Sequence, residues 1–329
     1  MRVLMVRLGA MGDVLHTLPA AATLKHSFPG AELVWVIEPR WKCLLEGNPF
    51  VDQVVEFDRR SLRAIGQAFQ QLRARRTELA IDFQGLVKSA LVASAARPDR
   101  LYGYHRAQAR EPLAAWFYSH PTRTRAPHIV DQHLELAAAA GARNRIVEFP
   151  LPPGRLEEPL PEGPFVLASP LAGWESKQWP LEHYSVLAGL LYRELGIPLV
   201  VNGAPDAVDT LRRIETAQIH VSSIEGLIDA TRRASAVVGV DSGPLHLAAA
   251  LLRPGVAIFG PTDPARNGPY GGTFQVLRSP EAATTYKRAR AVDPSMAAIT
   301  PAEVFQRLRD LLRDSTPAPP ARKGIRPPP

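Results

Sequence analysis

Three stretches of the chain join chemically able residues to spacings that can place them together. The first is RLGAMGDVLHTLPA, Arg7–Ala20. An apolar strand-like run enters it and a helical pattern leaves it. The bend between them holds Gly9 and Gly12, followed by a lone carboxylate, Asp13. At the carboxyl end of a strand, Asp13 could accept a proton from a substrate; it also stands where a helix N-cap belongs, and Asp is a favoured cap. The pattern G-x-x-G-D is not the G-x-G-x-x-G of a dinucleotide fold. The second stretch, Val237–Gly271, ends a buried strand in Asp241-Ser242-Gly243-Pro244 and starts a helix at once. Bare amides at a helix N-terminus form an anion site, and His246 in the first turn could donate to a phosphate. The alternative is a well-capped core helix. The next strand ends in a similar polar turn, Gly260-Pro261-Thr262-Asp263-Pro264. Two such turns on adjacent strands point to a nucleotide. The third stretch, SPLAGWESKQWPLEHY (Ser169–Tyr184), places Lys177 in a loop before Trp179-Pro180. A loop lysine is solvated unless it faces a diphosphate, where it would neutralise charge building on a leaving group.

What is missing narrows the chemistry. No D-x-D pair, G-x-x-x-x-G-K-[ST] loop, G-x-S-x-G elbow or H-E-x-x-H pair is present. The single cysteine, Cys43, rules out an internal disulfide and any multi-cysteine metal site, and fits a reducing compartment.

The elements that must carry these stretches alternate strand and helix. Strands are predicted at 3–6, 33–37, 53–57, 79–82 and 100–104, with helices at 14–26, 61–75, 86–96 and 129–140. A proline-rich segment, Phe149–Pro164, reads as a linker. Beyond it strands follow at 165–169, 199–202, 236–240, 256–259 and 274–277, with helices at 181–195, 206–216, 224–234, 244–252 and 301–312. The alternation predicts two doubly wound α/β domains, 1–155 and 156–314, and a disordered tail, 315–329, with six prolines in fifteen residues. Ligands of such sheets sit at strand carboxyl ends, which can face each other across a cleft.

Length, at 329 residues, agrees with two domains, and 46% hydrophobic with 22% charged residues is ordinary for a globular chain. The first half carries 21 basic against 14 acidic residues, the second 15 against 18. A basic half beside a mildly acidic one suggests an anionic partner for the first; surface arginines serving solubility are the plainer account. The basic residues are not interleaved with aromatics, which argues against single-stranded nucleic acid. The apolar run near the N-terminus is too short for a signal-peptide core, and no stretch reaches a membrane span, so a cytoplasmic protein is expected.

Seven segments, MGDVLHTLPA (11–20), IDFQGLVKSALV (81–92), AREPLAAWFY (109–118), SKQWPLEHY (176–184), NGAP (202–205), VDSGPLHLAAAL (240–251) and GPTDP (260–264), resemble the lipopolysaccharide heptosyltransferases of glycosyltransferase family 9. QGLVKSA and AREPLA look most like the type I enzymes. The resemblance implies the GT-B fold, two facing Rossmann-like domains, and inverting transfer from ADP-heptose to a Kdo residue of a lipid A-linked core without a metal or cofactor. It implies Asp13 as general base and Lys177 opposite the diphosphate. Gly12, Ala172, Gly173, Asp206, Asp241, Ser242, Gly243 and His246 fall at donor positions, and Arg60, Arg63, Gln84, Lys88 and Arg110 at acceptor positions. It further implies a monomer in peripheral contact with the cytoplasmic face of the inner membrane; no apolar anchor is evident, so that contact is expected to be driven by charge. Two departures stand out. Ala172-Gly173-Trp174 replaces a threonine pair expected to meet phosphate, and Ala207 replaces the acidic residue expected on the ribose, with Asp206 one position earlier.

Rival readings are a related GT-B enzyme using another nucleotide sugar, a sugar-nucleotide epimerase, and a non-enzymatic nucleotide- or nucleic-acid-binding module. Asn caps a helix about as well as Asp, so Asp13→Asn is expected to leave the melting temperature nearly unchanged; stability lost with activity intact would favour capping alone.

Overall fold

The computed structural model describes residues 1–285 and 287–314; the tail expected to be disordered lies outside them. Strands β1 (Arg2–Val6), β2 (Glu32–Ile37), β3 (Gln53–Glu56), β4 (Leu79–Asp82), β5 (Arg100–Tyr104) and β6 (His120–Thr122) form one parallel sheet in the order β3-β2-β1-β4-β5-β6. Its helices are α1 (Met11–Ser27), α2 (Leu62–Arg73), α3 (Val87–Ala95) and α4 (Ile129–Ala139), with 3₁₀ helices at Pro39–Leu45 and Pro112–Phe117. Strands β7 (Val166–Ser169), β8 (Leu199–Gly203), β9 (Gln218–Val221), β10 (Ala236–Val240), β11 (Gly255–Phe259) and β12 (Phe274–Arg278) form a second parallel sheet, ordered β12-β11-β10-β7-β8-β9. Its helices are α5 (Leu181–Leu195), α6 (Val208–Leu211), α7 (Ile224–Arg233), α8 (Gly243–Ala250), α9 (Pro264–Asn267), α10 (Pro294–Ala297) and α11 (Pro301–Asp314). Each sheet reverses its winding once, between β1 and β4 and between β7 and β10. Those switch points are where a doubly wound sheet opens a crevice at its carboxyl edge.

Period-two alternation decides which core each strand feeds. On β1, Val3 and Met5 point into a core shared by both lobes, while Leu4 and Val6 point to the outer face beneath α2 and α3. On β10, Val237 joins the shared core, and Ala236, Val238 and Val240 face α5 and α11. The shared core therefore runs unbroken between the sheets. Helix α1 lies in it, buried nearly all round from Met11 to Leu24, because α4 covers one side and α8 of the other lobe covers another.

Three expectations need correction. Strands β6 and β9 add an edge to each sheet; at three and four residues, they are too short for an alternation to register. The helix expected over 206–216 is instead a 3₁₀ turn, Pro205–Ala207, and the single turn α6. Leu211 and Ile214 are buried three apart, and the chain closes with i→i−3 bonds from Arg213 to Thr210 and from Ile214 to Leu211. Asp13 is not an N-cap: α1 starts at Met11, Ala10 is its cap, and Asp13 is the third helical residue. Residues 149–164 hold neither helix nor strand, as expected. They are nonetheless tied down: Asn48 Nδ2 donates to the Pro150 carbonyl, and Arg232 to those of Leu151 and Pro152.

Candidate active site

The carboxyl end of β1 supplies a fixed carboxylate. Asp13 Oδ2 accepts the Ala10 N–H at 3.1 Å, and Oδ1 lies 2.6 Å from Arg7 Nη2. Arg7 is buried, and its other terminal nitrogen donates to the Phe83 carbonyl. Burial works against ionising Asp13, but the Arg7 charge and the Ala10 N–H outweigh it, and Arg110 adds to them. The carboxyl is held below its ordinary range, so it is an anion at neutral pH.

The carboxyl end of β10 supplies the opposite wall. Asp241 is buried, with Oδ2 2.6 Å from Lys177 Nζ and Oδ1 3.4 Å from His246 Nε2. Burial opposes its ionisation, yet His246 and Lys177 together hold the carboxyl far below the usual range. Lys177 Nζ also stands 4.3 Å from the centroid of the Trp174 ring. Ser242 is the N-cap of α8, but its buried Oγ has no partner. The buried hydroxyls of Ser176 and Thr262 are likewise unpartnered. Orphaned buried hydroxyls are uncommon, because each costs roughly 1–3 kcal/mol. These three follow β10, β7 and β11, which are neighbours in the second sheet; among the described residues the hydroxyls of Thr77, Tyr104, Tyr184 and Thr273 are also unpartnered.

Two glycines let the walls meet. A Cβ on Gly12 would stand 2.6 Å from His246 Cδ2, and one on Gly243 would stand 2.8 Å from Met11 Cβ and Sδ. The N-termini of α1 and α8 therefore touch backbone to side chain in both directions. His16, one turn beyond Asp13, packs its ring edge-on to His246 with centroids 4.2 Å apart. Burial foremost, then His246, keeps His16 neutral well below its ordinary range.

Beside this contact lies a cavity of about 580 Å³, lined by Ser169, Leu171, residues 202–207, Ser222, Ser223 and Glu225, and closed by Arg40 and Cys43 of the first lobe. Asp206 is exposed on its rim. The Ala172 carbonyl accepts from Gln178 Nε2 at 3.1 Å, while Gly173 is exposed with open space around it.

The residues expected at the acceptor side divide. Arg60, Arg63 and Arg110 are exposed. Lys88 Nζ is 3.7 Å from Glu38 Oε1, and Arg40 and Arg59 approach the same carboxylate at 3.2 and 4.0 Å. Gln84 is buried; its Oε1 accepts the Leu8 N–H at 2.9 Å, which braces the loop leading to Asp13. Sequence reasoning missed Arg7, Glu38 and His16. Glu38 follows β2 directly, so the rule that chemistry sits at strand carboxyl ends could have found it. Among the described residues no group of three His, Cys, Asp or Glu side chains could hold a metal ion, and no helix is long and apolar enough to cross a membrane.

Residues 65–294 match the model of glycosyltransferase family 9 (heptosyltransferase). The chain belongs to glycosyltransferase family 9. It is 32% identical over 313 residues to lipopolysaccharide heptosyltransferase 1 of Escherichia coli O18:K1:H7, covering 89% of this chain and 96% of that one. The corresponding protein of Pseudomonas aeruginosa is 31% identical over 297 residues, covering 82% of each. Among solved structures, E. coli heptosyltransferase WaaC with ADP superposes with a TM-score of 0.77 at 29% identity, over 94% of this chain and 100% of that chain. The same enzyme with ADP-2-deoxy-2-fluoro heptose gives 0.74 at 28% identity, over 94% and 99%. The expected GT-B architecture holds, and this family 9 member is a glycosyltransferase.

Proposed function

We propose that the chain transfers heptose from ADP-heptose to a Kdo residue of a lipid A-linked inner core, with inversion at the anomeric carbon. Residues 1–155 take the acceptor and 156–314 the donor. The observation that carries this reading is the meeting of α1 and α8, which brings the Asp13 carboxylate to the same crevice as Lys177 and the unpartnered Ser242. A diphosphate there would satisfy the Ser242 hydroxyl and the first amides of α8, while Lys177 exchanges its Asp241 contact for the anion. The cavity at residues 202–207 has room for the nucleoside, with Asp206 and Glu225 as its carboxylates.

Asp13 removes the proton of an acceptor hydroxyl as that oxygen bonds to the anomeric carbon. The carbon–oxygen bond to ADP breaks on the opposite face, and its electron pair leaves on the β-phosphate, where Lys177 and the helix amides meet the charge. No resident metal is assigned to this step. Relatives named lipopolysaccharide heptosyltransferase 1, and a homologous structure holding an ADP-heptose analogue, support the choice of donor and acceptor. The basic rim of Arg60, Arg63, Lys88 and Arg110 suits a phosphorylated, carboxylated headgroup. We assign the protein to the cytoplasmic face of the inner membrane as a peripheral monomer.

Incubation with ADP-heptose and Kdo-lipid A, read by mass spectrometry, tests the assignment. A product heavier by one heptose supports it. Transfer only from another nucleotide sugar, or a rearranged sugar nucleotide with no transfer, overturns it.

A further inference from the structure

We infer that the outward face of the 3₁₀ helix Pro112–Phe117, with Leu91 of the neighbouring α3, docks on an anionic lipid bilayer. In a 3₁₀ helix residues three apart eclipse one another. Leu113 and Trp116 are such a pair, and they are 56% and 81% exposed. Ala114 and Tyr118 point the other way into the outer core and anchor the turn. Phe117 and Leu91 extend the apolar face at 38% and 49% exposure. Side chains of this size in water, concentrated on one small feature, mark a binding surface. An indole is at home at the boundary between headgroup and acyl chain.

The surrounding charge selects the partner. Arg110 is exposed just before the turn, and Lys88 lies one helical turn before Leu91 on α3. The carboxylate beside them, Glu111, is exposed and accepts the Val87 N–H on its Oε2 at 2.7 Å. An apolar tip beside the exposed Arg110, on a half of the chain with 21 basic against 14 acidic residues, fits an anionic membrane rather than a neutral one. The Glu111 N–H donates to the Gly85 carbonyl at 2.9 Å, next to Gln84, which braces the loop leading to Asp13, so the tip adjoins the Asp13 side of the cleft. An acceptor anchored in that bilayer would reach Asp13 without leaving it; this placement rests on the proposed function. The sequence led us to expect contact by charge alone; the turn adds to that expectation by showing which side chains of AREPLAAWFY face out.

The test uses the full chain and vesicles that contain no acceptor. Wild type should sediment with phosphatidylglycerol-containing vesicles more than with phosphatidylcholine, and a portion should stay bound at high salt. The double variant Leu113→Ser/Trp116→Ser should lose on the order of tenfold or more in partitioning, and its remaining binding should vanish with salt. Its melting temperature and its turnover of a deacylated, soluble acceptor should match wild type. Equal binding by the variant, or no preference of wild type for anionic vesicles, overturns the proposal. So does light scattering that shows lipid-free wild type pairing through this face while the variant stays single. Vesicle binding is read without donor or acceptor, so a failed transfer assay would leave it standing, and the reverse.

Discussion

Arg7 Nη2 lies 2.6 Å from Asp13 Oδ1, with the guanidinium side chain 6% exposed and the carboxylate side chain 31% exposed. A buried cation thus aims a half-open anion into the crevice. The pairing keeps Asp13 deprotonated and turned toward the other lobe, at the expense of some basicity. It also means that Asp13 serves stability, besides the chemistry proposed for it.

Asp13→Asn should lower kcat by about 10²–10⁴, the usual contribution of a general base. It should also destabilise by about 1–3 kcal/mol at pH 7, because Arg7 loses its charged partner. The Arg7 contact thus replaces the nearly unchanged melting temperature expected from the sequence. The folded carboxyl titrates below its unfolded value, so the wild-type advantage is complete above about pH 4 and fades as pH falls further. Urea unfolding of both proteins at pH 7 and pH 5 should give the same gap; a gap of zero would return Asp13 to a purely chemical role.

Arg7→Met removes the charge that overrides burial at Asp13. The carboxyl should then rise, and the acid limb of the kcat/KM profile should move to higher pH, with Arg7→Lys between the two. A limb that stays in place in both variants would mean that another group titrates there.

Gly243→Ala places a methyl 2.8 Å from Met11 Cβ, an atom with no freedom to retreat. Overpacking of this kind costs about 1–3 kcal/mol. The α1–α8 contact should loosen, and donor affinity should weaken more than acceptor affinity. Thermal melts with calorimetric titration of ADP would record both; a normal melt with normal ADP binding would contradict the packing.

His133 is fully buried against Phe83, and burial first, then the Arg7 charge, lowers it to about 3. Between that value and the ordinary 6.5 the unfolded chain holds a proton that the native protein excludes. Stability should therefore rise with pH across this window, and at pH 5 His133 alone should cost about 2 kcal/mol relative to pH 7. His133→Gln should flatten the dependence in chemical unfolding at the two pH values. An unchanged slope would assign the proton uptake elsewhere.

Arg60, Arg63 and Arg110 are exposed and are proposed to meet the acceptor; salt screens such charges over about 10 Å at 0.1 M. The KM for a deacylated acceptor should climb with ionic strength while that for the donor barely moves. Equal salt effects on both would remove the division between a basic acceptor lobe and a donor lobe.

Asp13, Asp241 and Gly243 could be singled out in the sequence because each stands just past a buried apolar run, where ligands of doubly wound sheets gather, and the structure brings their segments together with Lys177 and His246. The partner of Asp13 was on the page in the same quoted stretch, yet nothing local says that Arg7 folds back rather than out. Glu38, His16 and the orphaned Ser242 hydroxyl take their meaning from residues brought close only by the tertiary fold. The bond from the Leu8 N–H to the Gln84 amide oxygen, which braces the backbone there, has no signature in the sequence. Strands β6 and β9 escaped because three or four residues leave no period to detect, and the helix after Gly203 dissolved into turns because Leu211 and Ile214 are spaced for a tighter winding.

The helix that carries Asp13 is sheltered by both lobes at once. Cutting the chain within 149–164 would strip α8 from α1 and leave aliphatic side chains of each facing water. The two halves should then come out of expression as inclusion bodies when made singly and recover only on being mixed. In this protein the proposed general base and the thermodynamic unity of the chain reside in one helix.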